Sequence, residues 1–177
     1  AEPIQFMGNP DMKNKKWGFI SLNNSPDTSF FSNVIIRDAT GGTKPLEAAA
    51  IYGYRSALSL DNVRFNQIET NPVSIQFGYL SVRNSRLQSG IIGDLVHVTR
   101  GQGIIENSEF IGNFLPDNDG VDFDGATNSA IRNCNLHDFY GFNSDAVDIG
   151  ENSSGISIEG LRVFNVSDKG ISVGQQS

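Results

Sequence analysis

The sequence lacks several features that would point to common classes of protein. Its 177 residues include a single cysteine, Cys134, so no disulfide can form within the chain. We interpret this residue as a small buried filler. No apolar stretch approaches the ~18 residues that a membrane-spanning helix needs. A phosphate-binding loop, zinc-type Cys/His spacing and the Gly-x-Ser-x-Gly nucleophile motif are all missing.

Basic residues are also scarce. The chain has 13 Lys and Arg against 20 Asp and Glu, which gives a formal net charge of −7. This balance disfavours nucleic acid and anionic membranes, so we predict no nucleic-acid partner and no membrane insertion. Charged residues make up only 19% of the chain and there are 19 glycines. Such a composition favours a secreted or cell-surface protein rich in β-structure.

What the sequence does contain is a repeat. Seven short apolar segments begin near Phe19, Ile51, Val73, Val96, Val121, Val147 and Ile171. From the second onward, successive starts are 22–26 residues apart. A period of this length indicates stacked repeats, each of which buries its apolar face against its neighbours. Helical periodicity is almost absent, and only residues 45–50 are typical of a helical turn.

A turn residue recurs at the same period. Its positions are Asn33, Asn62, Asn84, Asn107 and Asn133. Asparagine tolerates positive φ and bonds its own backbone, so these positions predict turns between short strands. The result is an all-β fold, a right-handed parallel β-helix of about six to seven coils of 22–26 residues. A leucine-rich repeat has a similar period, but its leucine spacing is missing here.

The two ends of the chain differ in character. Residues 1–18 contain two prolines and three lysines and are predicted to cap the first coil, because solenoids protect their exposed strand edges. Residues 19–177 form the solenoid. The sequence stops one strand into a new coil, at Ile171–Val173, so we expect either a longer protein or end-to-end self-association.

Aligning the last four repeats reveals two columns of polar residues. The first column is Asp94, Asp119, Asp145 and Lys169, and the second is His97, Asp122, Asp148 and Ser172. Apolar residues flank each member of the second column, so strand alternation directs this column to solvent. Successive coils lie ~4.8 Å apart, which places the aspartates of one column above one another.

Four carboxylates, those of Asp119, Asp122, Asp145 and Asp148, therefore gather on two coils. Like charges at this spacing repel by roughly 1–4 kcal/mol per pair, so something must compensate them. Three explanations remain open: a bound Ca²⁺, a shared proton that would serve acid–base catalysis, or neighbouring cations such as Lys169 and His97. The simplest alternative is that these aspartates only form turns before strands. Elsewhere, His137 falls in a predicted turn without a column partner, and Trp17, Tyr52 and Tyr54 are candidate sugar-stacking aromatics.

Part of the chain resembles the polygalacturonase family of glycoside hydrolases. The resemblance lies in Asn118–Asp122, Asn143–Ile149 and Lys169–Gly174, which match that family's Asn-Thr-Asp, Asp-Asp and Gly-His-Gly segments. It implies a right-handed β-helix with Asp119 and Asp145 as catalytic carboxylates. Ser144 stands where the family has the first aspartate of its pair, and Lys169 where it has histidine.

The chain is also similar to β-helix segments of large bacterial surface proteins that carry spore-coat-kinase and lamin-tail domains. The similarity rests on the progression Asp-Gly-Val-Asp, Asp-Ala-Val-Asp and Asp-Lys-Gly-Ile-Ser-Val-Gly, which spans residues 119–174. It extends to Trp17–Ile20 and Ser32–Ile36 in the first coil. This resemblance implies an architecture more than a reaction.

Two functional hypotheses follow. The first is an extracellular β-helix module whose acidic face binds a cation, a glycan or a neighbouring subunit through Asp122, Asp148, His97 and Lys169. The second is a carbohydrate-active enzyme, a polysaccharide hydrolase or lyase, that uses Asp119 and Asp145 with Asp122 or Asp148. Under either hypothesis Ca²⁺ is a candidate ligand of these four aspartates and a polysaccharide is a candidate partner.

Overall fold

Eighteen short strands lie in the part of the chain that the structure describes. The computed structural model describes residues 2–13, 15–44, 48–88, 90–91 and 93–174. The strands are β1 Ile4–Phe6, β2 Ile20–Asn23, β3 Thr28–Arg37, β4 Ala49–Tyr54, β5 Ala57–Asn66, β6 Asn71–Gln76, β7 Tyr79–Arg83, β8 Arg86–Gln88, β9 Val96–Thr99, β10 Gln102–Glu106, β11 Glu109–Ile111, β12 Val121–Asp124, β13 Ala130–Arg132, β14 Asn135–Phe139, β15 Val147–Ile149, β16 Ser157–Glu159, β17 Arg162–Val166 and β18 Ile171–Val173. No helix occurs in these residues, and none therefore has the length and apolar character to cross a membrane.

The strands stack as a parallel β-solenoid of about six turns, which confirms the predicted fold class. The seven predicted apolar segments form one sheet in the order β18-β15-β12-β9-β6-β4-β2. The other sheet has eleven strands. Its ten-residue strands, β3 and β5, each extend over two adjacent sides of the solenoid, which separate strands such as β7 and β8 form in the next coil. The helical turn expected at residues 45–50 is wrong for Ala49 and Ala50, which begin β4, while residues 45–47 lie outside the described residues.

The core consists of apolar side chains stacked coil upon coil. Val73, Val96, Val121 and Val147 are paired in register on adjacent strands and are fully buried. Phe123 and its partner Ile149 extend a second internal row in the same sheet. Cys134 is buried and unpaired, as predicted. Because the inward side chains alternate with outward ones, this core fixes which residues the seven-stranded sheet presents to solvent.

At the corners between strands, residues with a left-handed backbone conformation recur on successive coils. Five asparagines, Asn33, Asn62, Asn84, Asn107 and Asn133, have φ between 50° and 55°, and Gly160 continues the series at 61°. Asparagine and glycine adopt this conformation at the lowest cost. The Asn62 side-chain amide donates to Asn33 Oδ1 over 3.1 Å, and the next in the series, Asn84, donates instead to Asp61 Oδ1 over 2.7 Å. The recurrent asparagines therefore set the corners of the solenoid.

Charges of alternating sign run up the outer face of the eleven-stranded sheet. The ladder consists of Asp61, Arg83, Glu106, Arg132 and Glu159, each paired with the next on adjacent strands. Glu106 is held from both sides, because it accepts from Arg83 Nε over 2.9 Å and from Arg132 Nη1 over 3.1 Å. Both arginines lower the pKa of Glu106 through these hydrogen bonds. A register shift of one strand against its neighbour would separate the opposite charges, so the ladder favours a single register.

We expect Glu106→Gln to lower the free energy of unfolding by about 1–2 kcal/mol, because two charge-assisted hydrogen bonds weaken and two arginines lose their shared partner. Urea unfolding followed by circular dichroism measures the change. The control is Glu69→Gln, which removes the isolated, half-exposed ion pair with Lys16 and should change stability by no more than about 0.5 kcal/mol. Equal losses in the two variants would show that the ladder does not act as a network.

The first residues of the chain join the sheet at its edge. Strand β1 pairs in parallel with β3, from Ile4 opposite Val34 to Phe6 opposite Ile36. Trp17 bridges to Ala39, and its indole N–H donates to the Arg37 carbonyl over 2.7 Å. Residues 1–18, predicted to be a cap, thus supply the outermost strand beside the first coil.

Candidate functional site on the acidic face

The second column of polar residues lies on the outer face of the seven-stranded sheet. Direct pairing places His97 opposite Asp122, Asp122 opposite Asp148, and Asp148 opposite Ser172. The same column continues toward the N-terminus through Ser74, Tyr52 and Ser21. The predicted register of His97, Asp122, Asp148 and Ser172 is therefore confirmed. Both aspartates of this column, Asp122 and Asp148, are half-buried, since neighbouring coils cover their flanks.

The first column lies beside the second, where the chain enters each strand. Asp119 Oδ1 accepts the backbone amide of Asp145 over 2.7 Å, and Asp145 Oδ1 accepts the amide of Lys169 over 2.8 Å. Asp145 is buried, and the Lys169 ammonium lies 3.3 Å from both of its carboxylate oxygens. These two carboxylates thus tie one coil to the next, a structural role that the sequence did not indicate.

His97 is the centre of the acidic cluster. Its Nδ1 lies 3.6 Å from Asp94 Oδ2, and its Nε2 lies 3.3 Å from both Asp122 Oδ2 and Asp124 Oδ2. The Thr99 hydroxyl is 3.0 Å from the same Nε2. The imidazole therefore lies among three carboxylates from two coils. Within the described part of the chain, His97 is the basic residue that lies within ion-pair distance of Asp122.

Three carboxyl groups of the cluster have strongly raised pKa values. Burial raises the pKa of Asp122 to about 8, that of Asp94 to about 7 and that of Asp119 to about 6. Neighbouring carboxylates add to the effect, chiefly Asp124 at Asp122 and Asp122 at Asp94. The pKa of Asp148 is raised in the same way. Near neutral pH the cluster consequently holds protons that isolated aspartates would have released.

The donor set that could hold a metal ion differs from the predicted one. Within the described residues, ligand atoms of Asp94, His97 and Asp122 all lie within 4.8 Å of one another. Of the predicted set of Asp119, Asp122, Asp145 and Asp148, only Asp122 belongs to this group. A nitrogen ligand suits a transition metal better than Ca²⁺, which prefers oxygen. Ca²⁺ at the four aspartates stays a prediction.

Exposed aromatic rings border the acidic face on the side where the chain enters the strands. Phe114 is 79% exposed and Phe142 is 86% exposed. Tyr140 stacks on Phe114 with ring centroids 4.8 Å apart. The two loops that carry these rings lie against each other, as the Asp117 amide donates to the Phe142 carbonyl over 3.0 Å. We define Phe114, Tyr140 and Phe142 as the aromatic rim.

The aromatic rim reaches Asp168, next to the end of the first column. A surface concavity of about 480 Å³ is lined by Tyr140, Phe142, Asn143 and Asp168, among others. Asp168 in turn lies 2.6 Å from Lys169 Nζ at the end of the first column. The rim was not predicted, although the sequence contains a signal for it: three large rings stand in the Gly-, Asn- and Pro-containing segments between strands, where no core position requires them.

A second concavity borders the opposite side of the acidic face, where the chain leaves the strands. Its volume is about 560 Å³, and its lining includes Thr99, Arg100, Asp124 and Glu151. Nearby, the Phe77 ring contacts Tyr54 at 5.8 Å and the Arg100 guanidinium at 5.8 Å. Of the aromatics predicted to stack on sugars, Tyr52 is buried with its hydroxyl on Gln76. Trp17 instead packs near Phe6.

A further concavity, of about 710 Å³, lies on the other sheet at the asparagine corners. Its lining includes Asn84, Asn107 and Asn133 together with Arg86 and Glu109, which are paired by a 2.7 Å hydrogen bond. Two arginines, Arg64 and Arg86, and one carboxylate, Glu109, line this groove, and no large aromatic ring lines it. The acidic face, which combines unbalanced charge with exposed rings, is the better candidate for a binding site.

Comparisons with known proteins leave the family of this chain open. No protein-family model matches it, and no curated protein matches it. Among solved structures, a similar chain is the full-length QnrB1 protein, described as a plasmid-mediated fluoroquinolone resistance protein. It shares 10% identity over 85% of this chain and 94% of its own length, with a TM-score of 0.15. A TM-score this low supports no argument about function.

Proposed function

We propose that this solenoid is a polysaccharide-binding module that acts at the outer face of its seven-stranded sheet. The observation that carries the proposal is the aromatic rim, whose exposed rings lie in the two segments that lead into the acidic strands β12 and β15. A sugar ring has an apolar face that packs on an aromatic ring, and hydroxyl groups that donate to carboxylates. Binding sites commonly pair apolar surface with a few polar groups that fix orientation. A secreted or cell-surface location belongs to the same proposal.

The exposure of the rim supports this reading. Phe114 and Phe142 contribute little to the core, so large apolar side chains at these positions cost solubility without stabilising the fold. Parallel stacking of Phe114 and Tyr140, with an interplanar angle of 18°, presents a flat surface rather than a filled cavity. Aromatic residues of this kind are enriched where a protein meets a ligand, since they offer contact area with few rotatable bonds.

We expect Phe142→Ala to weaken polysaccharide binding about tenfold while changing the free energy of unfolding by no more than about 0.5 kcal/mol. Affinity electrophoresis against a panel of neutral, anionic and cationic polysaccharides measures the first effect, and urea unfolding measures the second. The matched control is Phe30→Ala, since Phe30 is 75% exposed on the eleven-stranded sheet. Binding that is lost equally in both variants, or absent from the unsubstituted protein, would contradict the proposal.

A second candidate function is hydrolysis of the bound polysaccharide. It is favoured by the half-buried carboxyl of Asp122, whose pKa of about 8 keeps it protonated at neutral pH and available as a general acid. Asp148 on the next coil and Asp94 beside His97 are the neighbouring carboxylates. Asp119 and Asp145, the catalytic pair implied by the polygalacturonase resemblance, are committed to backbone amides by one oxygen each. Release of reducing ends by the unsubstituted protein but not by Asp122→Asn tests this candidate.

A further inference from the structure

We infer that the polysaccharide bound by the acidic face is cationic, a polymer of sugars that carry free amino groups. This inference rests on the proposed function and specifies its ligand class. It comes from where the molecule places its charge and from how the face already accommodates one ammonium group.

The net charge of the whole chain is concentrated on this face. Strands β9, β12, β15 and β18 and the residues beside them carry nine of the 20 acidic residues but only two of the 13 basic residues, Arg100 and Lys169. The nine are Asp94, Asp117, Asp119, Asp122, Asp124, Asp145, Asp148, Glu151 and Asp168. The excess of seven equals the formal net charge of −7, so the remainder of the chain is balanced. A field of one sign on one face attracts ligands of the opposite sign.

Lys169 shows what kind of cation fits the columns. Its ammonium lies 3.3 Å from both oxygens of buried Asp145 and 2.6 Å from Asp168. Asp119 occupies the place of Asp145 on the preceding coil, and Asp148 lies in the second column on the same coil as Asp145, yet among the described residues neither of them forms an ion pair. A protonated amino group on a sugar ring is also a primary ammonium, and it would supply there the charge that Lys169 supplies at Asp145.

Charge complementarity also separates classes of glycan. A polyuronate would bring a carboxylate on each sugar against a face whose own carboxylates already repel one another, so its binding is disfavoured. A neutral glycan gains the stacking on the aromatic rim but does not relieve that repulsion. An amino-sugar polymer gains the stacking on the aromatic rim and also relieves the repulsion between the carboxylates. The strand spacing of ~4.8 Å further allows charges on one chain to meet carboxylates on several coils.

The test compares oligosaccharides of one length that are cationic, neutral and anionic. Calorimetry at pH 7, where Asp119 with its pKa of about 6 is largely ionised, uses a β-1,4-linked glucosamine hexamer, its fully N-acetylated form and a galacturonate hexamer. We expect the glucosamine hexamer to bind at least about tenfold more tightly than the acetylated form, with affinity falling as salt is added. We expect Asp148→Asn to weaken the glucosamine hexamer severalfold, while Asp11→Asn, which removes the same charge in the N-terminal segment, leaves the affinity unchanged.

Each result distinguishes this inference from the proposed function. Equal binding of the acetylated and free hexamers, or preference for galacturonate, overturns the cationic ligand while the polysaccharide-binding function stands. If the protein binds none of the three hexamers and none of the other glycans in the panel, both the cationic ligand and the polysaccharide-binding function are overturned. Polylysine of similar charge is the control for mere electrostatics: if it binds as tightly and Phe142→Ala affects neither ligand, sugar recognition is overturned as well.

Discussion

At pH 9, Asp122→Asn is expected to raise the free energy of unfolding by about 1–3 kcal/mol. In the folded protein the Asp122 carboxylate is half-buried between Asp124 and Asp148, and burial together with these neighbours raises its pKa to about 8. Above that pH the fold must accommodate a charge that the unfolded chain exposes to water. Asparagine has the shape of the protonated carboxyl and carries no charge.

The pH dependence of stability is a second test of the prediction that ionised Asp122 destabilises the fold. Asp119, Asp94 and Asp122 have pKa values of about 6, 7 and 8, against an unfolded value of about 3.9. Between pH 4 and 8 the folded protein therefore binds more protons than the unfolded chain, and stability falls as pH rises through this window. We expect urea unfolding at pH 5, 7 and 9 to show that decline, and a shallower decline in Asp122→Asn.

Asp138→Asn is the matched control for this experiment. Hydrogen bonds from Asn165, His137 and Tyr140 lower the pKa of Asp138, so its titration lies below the window and the slope between pH 5 and 9 should equal that of the unsubstituted protein. An unchanged slope in Asp122→Asn, or a loss of stability at pH 9, would mean that the cluster is not under electrostatic strain.

The register of the acidic columns was predictable because a solenoid reduces it to two short-range rules. Strand alternation decides which residues face outward, and the repeat length decides which residues lie above one another. Both rules could be read from Val121-Asp122-Phe123 and Val147-Asp148-Ile149, and the pairing of Asp122 with Asp148 confirms them. The charge ladder through Arg83, Glu106 and Arg132 obeys the same rules. The sequence already contained it at intervals of one repeat.

Contacts between columns were not predictable in this way. Asp124 belongs to neither predicted column, yet its carboxylate lies 3.3 Å from His97 on the preceding coil. That distance depends on side-chain direction and on the lateral offset between columns, neither of which the repeat length fixes. The placement of His137 in a turn was wrong: it lies in β14, opposite Phe164, on which its ring stacks at 4.6 Å. Segments between strands vary in length and lack alternation, so their side chains have no column to be assigned to.

Gly120→Ala is expected to lower the free energy of unfolding by about 3 kcal/mol, at the upper end of the usual cost of overpacking. Gly120 stands between Asp119 and the strand that carries Asp122, so it is the position where the acidic face meets the core. A methyl group there would lie 2.5 Å from the Ala146 carbonyl oxygen and 2.8 Å from Leu136 Cδ2. The first neighbour is backbone, which can yield only if the next coil moves, and that movement would displace Asp145 from Asp119.

The solenoid provides its own control, because equivalent positions recur on each coil. Ala146 occupies this position one coil later, and Gly170 occupies it two coils later, with its nearest neighbour for an added methyl group at 3.6 Å. Gly170→Ala should therefore be neutral or stabilising by about 0.4–1 kcal/mol, since alanine restricts the unfolded chain without crowding the folded one. Thermal and urea unfolding of the two variants measure the contrast. Equal effects would show that the tight contact under the acidic face does not determine which residue the fold accepts there.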